Sequence, residues 1–260
     1  MNRLVLSKLL ALAVGIACVF FAFKYNKSAL YETSGSIYGT YWKLVSTEYI
    51  PDPLIQSIKQ ELNRIDFVAS NYKPSSELSI INASPINTEI GISSDMYTIL
   101  KFAEDLHQLS NGYYDVTIGS LIIKEGFGPE SSMTDNAIPV SKKRFNFLNN
   151  NSITKNDNFQ FDLSSIAKGY AVDSISNLLI RANRNNYLID IGGEIIVNGS
   201  KHGEPWTVGI QSPSAVNNQS DTQIRSNKFL AIATSGEYRN FKLNDNGVVT
   251  SHTFIPEIQK

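Results

Sequence analysis

The chain reads as an α+β protein with a largely antiparallel sheet, flanking helices and two subdomains around a cleft. Long amphipathic helical patterns fall early, and short apolar runs separated by Gly, Pro, Asn and Ser fall late. No repeat or coiled-coil heptad interrupts that order. With 260 residues and 42% hydrophobic content, the chain can build one large domain or two small ones.

At the N-terminus, Arg3 and Lys8 precede an uninterrupted apolar run from Leu9 to Phe23, and Lys24 and Lys27 then restore polar composition. Residues 1–27 are read as a signal or anchor segment outside the fold. Counting residues 4–6, the segment approaches the roughly 20 residues that span a membrane, so cleaved, uncleaved and lipidated outcomes stay open. Cys18, the only cysteine, follows Gly15, Ile16 and Ala17. A small residue before a cysteine suits bacterial lipoprotein processing, and a membrane-buried cysteine without a role is the other reading. The remainder has no thiol and needs no disulfide in an oxidising compartment.

Residues 28–36 are expected to be a polar linker, and the domain to run over 37–260. Alternating aromatic and aliphatic residues over 37–45 predict a strand. After Pro51 and Pro53, Leu54, Ile58, Leu62, Ile65 and Val68 recur at helical spacing. A second helix is expected from about Ser94 through Met96, Ile99, Leu100, Ala103 and Leu106 to Leu109, stopped by Asn111 and Gly112. Residues 126–158 are Asn-rich with little periodicity and are expected to be irregular. Strands resume at Phe159, with further short runs at 187–191, 194–197, 206–211 and 229–234.

The most informative stretch is Asp162-Leu-Ser-Ser-Ile-Ala-Lys-Gly-Tyr-Ala-Val-Asp173, followed by Asp190-Ile-Gly-Gly-Glu194. Phe159 and Phe161 alternate like a strand end, and Ser164 or Ser165 offers an N-cap. Ile166, Ala171, Ile175, Leu178, Leu179 and Ala182 form the apolar face of the helix that follows. The positive end of that helix lies beside Lys168, where an anionic phosphate can rest. Two such elements suggest a nucleotide. Gly192-Gly193 also reads, on its own, as a hairpin turn.

With 23 basic and 24 acidic side chains, nothing steers the chain toward nucleic acid. Gly126-Phe-Gly128 lacks the third glycine of a dinucleotide fingerprint, and no phosphate loop or nucleophile elbow is present. His107, His202 and His252 are too far apart for a zinc motif.

The residues resemble the FAD:protein FMN transferase family, the ApbE-like flavin transferases of bacterial periplasms. The resemblance is carried by Gly39-Thr-Tyr-Trp42, Ser70-Asn-Tyr-Lys-Pro-Ser-Ser-Glu-Leu-Ser79 with Asn82, and Ser110-Asn-Gly-Tyr-Tyr-Asp-Val-Thr-Ile-Gly119. The two stretches above, Pro205-Trp-Thr-Val-Gly-Ile-Gln211 and Thr234-Ser-Gly-Glu-Tyr-Arg-Asn240 complete it. It implies that the cleft binds FAD, and that FMN passes from FAD to a threonine of a redox membrane protein, releasing AMP. It also implies a magnesium ion at the Ala167 carbonyl, and flavin or phosphate contacts at Tyr72, Tyr113, Tyr114, Asp115, Ser164, Lys168, Tyr170 and Asp173. It implies flavin-side contacts at Tyr38, which stands where the family usually has Met, and at Phe254, close after His252, the implied proton acceptor. Ile255 stands where the family has an aspartate. The resemblance further implies that an acidic residue and a threonine, the other metal ligands, belong beyond Lys260, so that the chain lacks the C-terminal part of the family. Location at the periplasmic face of the inner membrane follows, through lipidated Cys18 or an uncleaved helix. A non-catalytic FAD binder and a pyrophosphatase giving FMN and AMP are the alternatives.

Overall fold

The computed structural model describes residues 3–27, 29–129, 144–211, 220–236, 241–243, 249–251 and 253. The apolar N-terminal run is helix α1 (Arg3–Lys27), with Leu12, Ile16, Val19 and Phe20 exposed. Among the described residues no helix is long and apolar enough to cross a membrane.

The strand expected over 37–45 is the second arm of a hairpin. Strands β1 (Tyr31–Ile37) and β2 (Thr40–Ser46) turn through Tyr38 and Gly39, both at positive φ. Most of the expected linker is thus strand. Its polar composition misled because β1 is the edge of its sheet and is largely solvated.

Helix α2 (Asp52–Ala69) starts after Pro51 and buries Ile58, Leu62, Ile65 and Val68, the spacing the sequence shows. Ser76 caps the short α3 (Glu77–Ala83) by accepting from the Ser79 N–H. Strand β3 (Ile90–Gly91) leads to α4 (Ser94–Leu109), capped by Ser93, which is itself held by the Glu77 carboxylate. The short α5 (Gly119–Lys124) follows.

Within the region expected to be irregular, β4 (Phe145–Asn149) and β5 (Ser152–Lys155) form a hairpin that β3 extends, in the order β3-β5-β4. The Asn-rich stretch is its turn, and Phe145 and Ile153 are buried. Helix α6 (Ala167–Arg181) packs on a sheet of order β1-β2-β6-β7-β10, completed by β6 (Tyr187–Ile191), β7 (Glu194–Asn198) and β10 (Leu230–Ala233). Every pairing in it is antiparallel. Strands β8 (Trp206–Gln211) and β9 (Ser220–Ser226) pair separately, as do β11 (Phe241–Leu243) and β12 (Val249–Ser251).

Among the described residues a small apolar cluster joins Ile195, Val197, Trp206 and Val208, and two larger apolar cores form. One joins α4 to the three-stranded sheet through Met96, Ile99, Leu100, Phe145, Ile153 and Phe161. The other joins α2 and α6 to the five-stranded sheet through Leu44, Ile58, Leu62, Ile175, Leu179 and Ile189. Tyr170 packs against both.

Candidate functional site

Residues 159–163 precede α6 without being a sheet strand. The Phe161 N–H donates to Asn82 Oδ1 at 2.8 Å, and Asn82 Nδ2 returns a bond to the Phe161 carbonyl at 3.0 Å. The Asp162 N–H donates to the Val116 carbonyl and the Gly119 N–H to that of Gln160, so the 116–119 segment lies alongside. A Cβ on Gly119 would fall 2.6 Å from the Gln160 carbonyl oxygen, which only glycine avoids.

Asp162 is buried and organises the turn after it. Its Oδ1 accepts from the Ser164 N–H at 2.8 Å and from the Ser164 hydroxyl, and its Oδ2 accepts from Asn71 Nδ2 at 2.7 Å. This corrects the expected cap: the Ser164 hydroxyl serves Asp162, Ile166 is the N-cap residue, and no side chain caps α6. The local reason is the Asx turn, in which a carboxylate two residues upstream captures the serine before the helix can use it.

The start of α6 is left receptive. The Ala167 N–H donates to the Leu163 carbonyl and the Tyr170 N–H to that of Ile166. Among the described residues, Lys168 and Gly169 then hold the first-turn N–H groups with no backbone acceptor. A Cβ on Gly169 would meet nothing within 4 Å, so that face is open. Lys168 Nζ lies 2.8 Å from Glu194 Oε2, tying this turn to β7.

The expected tyrosines gather around this frame with different duties. Tyr114 shares a 2.9 Å bond with Ser165 Oγ, and burial pushes its phenol up. The Tyr72 hydroxyl donates to the Phe127 carbonyl at 3.2 Å, yet the residue is 69% exposed, and Tyr113 is exposed too. Asp115 Oδ1 accepts from the Thr117 N–H and hydroxyl, both at 2.7 Å, and so shapes its own loop. The Tyr170 hydroxyl donates to Asp95 Oδ1 at 2.6 Å, and burial with that carboxylate pushes its pKa up to about 12. The Tyr38 hydroxyl donates to the Leu62 carbonyl at 2.8 Å, and burial pushes it up strongly. Asp173 is on the exposed side of α6, its carboxyl raised by desolvation.

Gly192 and Gly193 form the β6–β7 hairpin turn at positive φ, in keeping with the turn reading. Asp190 Oδ1 accepts from the Gly193 N–H and its Oδ2 from the Tyr41 hydroxyl, while the Thr234 hydroxyl donates to the Gly193 carbonyl.

The structure therefore assembles Tyr114, Ser164, Ala167, Lys168 and Tyr170 about one turn, with Asp115 on the adjoining segment. Tyr38 is bound instead to α2. His252 and Phe254 lie outside the described residues. Sequence reasoning assigned no role to Asn71, Asn82, Asp95 or Asp162. The Asp-x-Ser spacing could have exposed the Asx turn, but no local signal marks the others. Among the described residues no group of three or more His, Cys, Asp or Glu could hold a metal ion, and Asp162 is already engaged through both oxygens. Of the metal ligands the resemblance implies, the described residues hold the Ala167 carbonyl. They fit an anionic group on the Lys168 and Gly169 N–H donors, with a planar ring near the exposed tyrosines.

A family model described as "ApbE family" matches residues 38–259. A curated relative from Vibrio cholerae serotype O1, named FAD:protein FMN transferase, is 33% identical over 240 residues, covering 86% of this chain and 70% of the relative. One of the same name from Haemophilus influenzae is 31% identical over 217 residues, covering 78% and 62% respectively. The solved structure described as flavin transferase ApbE from Vibrio cholerae matches with a TM-score of 0.73 at 29% identity, over 88% of this chain and 76% of that one. The antiparallel sheets with flanking helices are shared with that structure.

Proposed function

From the premise that this chain belongs to the ApbE family, we propose that it transfers FMN from FAD to a threonine hydroxyl of a target redox protein. The observation that carries the reading is the first turn of α6, where the Lys168 and Gly169 N–H groups and the Lys168 side chain meet the turn organised by Asp162. Pyrophosphate charge is met there by a helix end and a cation, without reorganisation.

The acceptor oxygen attacks the phosphorus on the FMN side, a phosphoester forms, and the bond to the AMP phosphate breaks. AMP leaves with the bridging oxygen, and the hydroxyl proton passes to a base, the role this reading gives His252. The chain's described residues bind and orient the pyrophosphate. Tyr72 and Tyr113 supply exposed rings for stacking.

The test is incubation of the full chain with FAD, magnesium chloride and a threonine-bearing acceptor protein. In-gel flavin fluorescence on the acceptor, with equimolar AMP, is expected. FAD binding with neither adduct nor AMP would leave a binding protein, and FMN with AMP but no adduct would mark a pyrophosphatase.

The reading extends to location: the chain is held at the periplasmic face of the inner membrane by its N-terminal segment, where a membrane redox protein is the acceptor. Exposure of Leu9, Leu12, Ile16, Val19 and Phe20 on α1 supports it. Recovery of the full chain in the soluble fraction of cells would overturn it.

A further inference from the structure

A closed ring of polar contacts begins and ends on α6. The Tyr170 hydroxyl donates to Asp95 Oδ1 at the start of α4, and Arg64 of α2 donates from Nη1 to Asp95 Oδ2. Arg64 also forks onto Glu61, from Nε to Oε2 at 2.9 Å and from Nη2 to Oε1 at 2.7 Å. Ser174 of α6, one helical turn after Tyr170, closes the ring by donating to Glu61 Oε1. The Asp95 and Glu61 side chains are only 17% and 18% exposed.

The ring links elements of both cores. Helices α6 and α2 lie mainly in the core under the five-stranded sheet and α4 in the core that also holds Phe161 and Leu163, which Val68 and Ala69 of α2 and Ile166 and Ala167 at the start of α6 also reach. The Asp162 turn hangs from the second core whereas the body of α6 packs on the first, so the setting of the helix's first turn depends on what joins the two. Tyr170, packed on both cores, is one apolar joint, and the ring is its polar counterpart. A guanidinium suits the centre because its planar fork bonds two carboxylates at once, which an ammonium cannot do in a fixed geometry.

We propose that Arg64 is a positioning residue: acting through Asp95 and Glu61, it sets Tyr170 and the first turn of α6 against the Asp162 turn. Its consequence for ligand rests on the reading of that turn as the FAD pyrophosphate site. Loss of Arg64 then loosens the first turn of α6 and weakens FAD before it weakens the fold.

The experiment compares the full chain with Arg64→Met, Arg64→Lys, Tyr170→Phe and Ser174→Ala. Hydrogen exchange of the Ala167 and Tyr170 amides, the two of the first turn that are hydrogen-bonded, is expected to quicken about tenfold in Arg64→Met and less in Ser174→Ala, while the amides in the middle of α4 stay unchanged. FAD affinity by flavin fluorescence, and KM for FAD in AMP release, are expected to worsen about tenfold in Arg64→Met with kcat changed less. Arg64→Lys restores part of the loss. Unchanged exchange at Ala167 and Tyr170, or exchange raised equally throughout α4, overturns the proposal. If Arg64→Met does not fold, Tyr170→Phe, which keeps the ring packing, decides by the same exchange criterion. A wild-type chain that binds no FAD overturns the functional reading and leaves the exchange result to judge the ring.

Discussion

Replacing Asn82 by alanine removes both hydrogen bonds that hold the Phe161 backbone, at 2.8 and 3.0 Å. Phe161 is 1% exposed, so the N–H and carbonyl left behind have no ready access to water. An unsatisfied buried group costs about 1–3 kcal/mol, so the pair sets a loss of about 2–5 kcal/mol after partial relaxation. Asn82→Asp keeps the acceptor for the Phe161 N–H but sets a carboxylate oxygen against the Phe161 carbonyl, so it should cost at least as much. Because Phe161 precedes Asp162, the same substitution should loosen the Ser164 turn and weaken FAD several-fold under conditions where the protein remains folded. Urea unfolding of the three proteins, followed by fluorescence, gives the stability differences, and flavin titration gives the affinities. A loss below about 1 kcal/mol for Asn82→Ala would refute the accounting. So would an Asn82→Asp protein clearly more stable than Asn82→Ala.

Lys168→Met is expected to raise the FAD Kd by roughly ten- to a hundredfold, a phosphate-facing charge-assisted contact being worth about 1.5–3 kcal/mol. Glu194→Gln, which releases Lys168 from its 2.8 Å partner, should leave FAD binding as tight or tighter; equal weakening by both would mean that Lys168 serves only the ion pair. Gly193→Ala places a Cβ 2.4 Å from Thr234 Oγ1 at a φ of +98°, a strain of about 1–3 kcal/mol that a thermal melt should show as several degrees. An unshifted melt would contradict the close approach. Lys155 is 1% exposed, its amine bonded to the Asn82 and Ser84 carbonyls and 5.4 Å from the Phe159 ring centre. Burial lowers its pKa below the ordinary 10.5, so between the lowered value and 10.5 the unfolded chain binds more protons and stability rises with pH. The stability of wild type minus that of Lys155→Met should therefore climb as pH rises toward 10.5 and fall back as it drops through the lowered value; a flat difference in urea midpoints would refute this.

Amphipathic spacing was enough for α2, α4 and α6, because a helix that buries one face must repeat its apolar residues at three and four. Short apolar runs likewise marked β6, β7 and β8, and a Gly-Gly pair marked the turn between the first two. Strand β1 was hidden because an edge strand can be polar, and the β4–β5 hairpin because its turn is built from asparagines. Helix α3 was too short for periodicity to declare itself.

The sequence by itself determined the α+β class, the main helices, the late strands and the resemblance that names the reaction, all of which rest on residues near one another in the chain. Only the tertiary structure decided what those residues spend their polar atoms on. Ser164 turns from helix cap to partner of Asp162, Tyr170 from expected ligand contact to partner of Asp95, and Asn82 from motif letter to clamp on Phe161. The physical reason is that a buried donor or acceptor must find a partner; for Tyr170 and Asn82 it comes from a segment dozens of residues away, where no local pattern can point, and for Ser164 from the carboxylate just upstream.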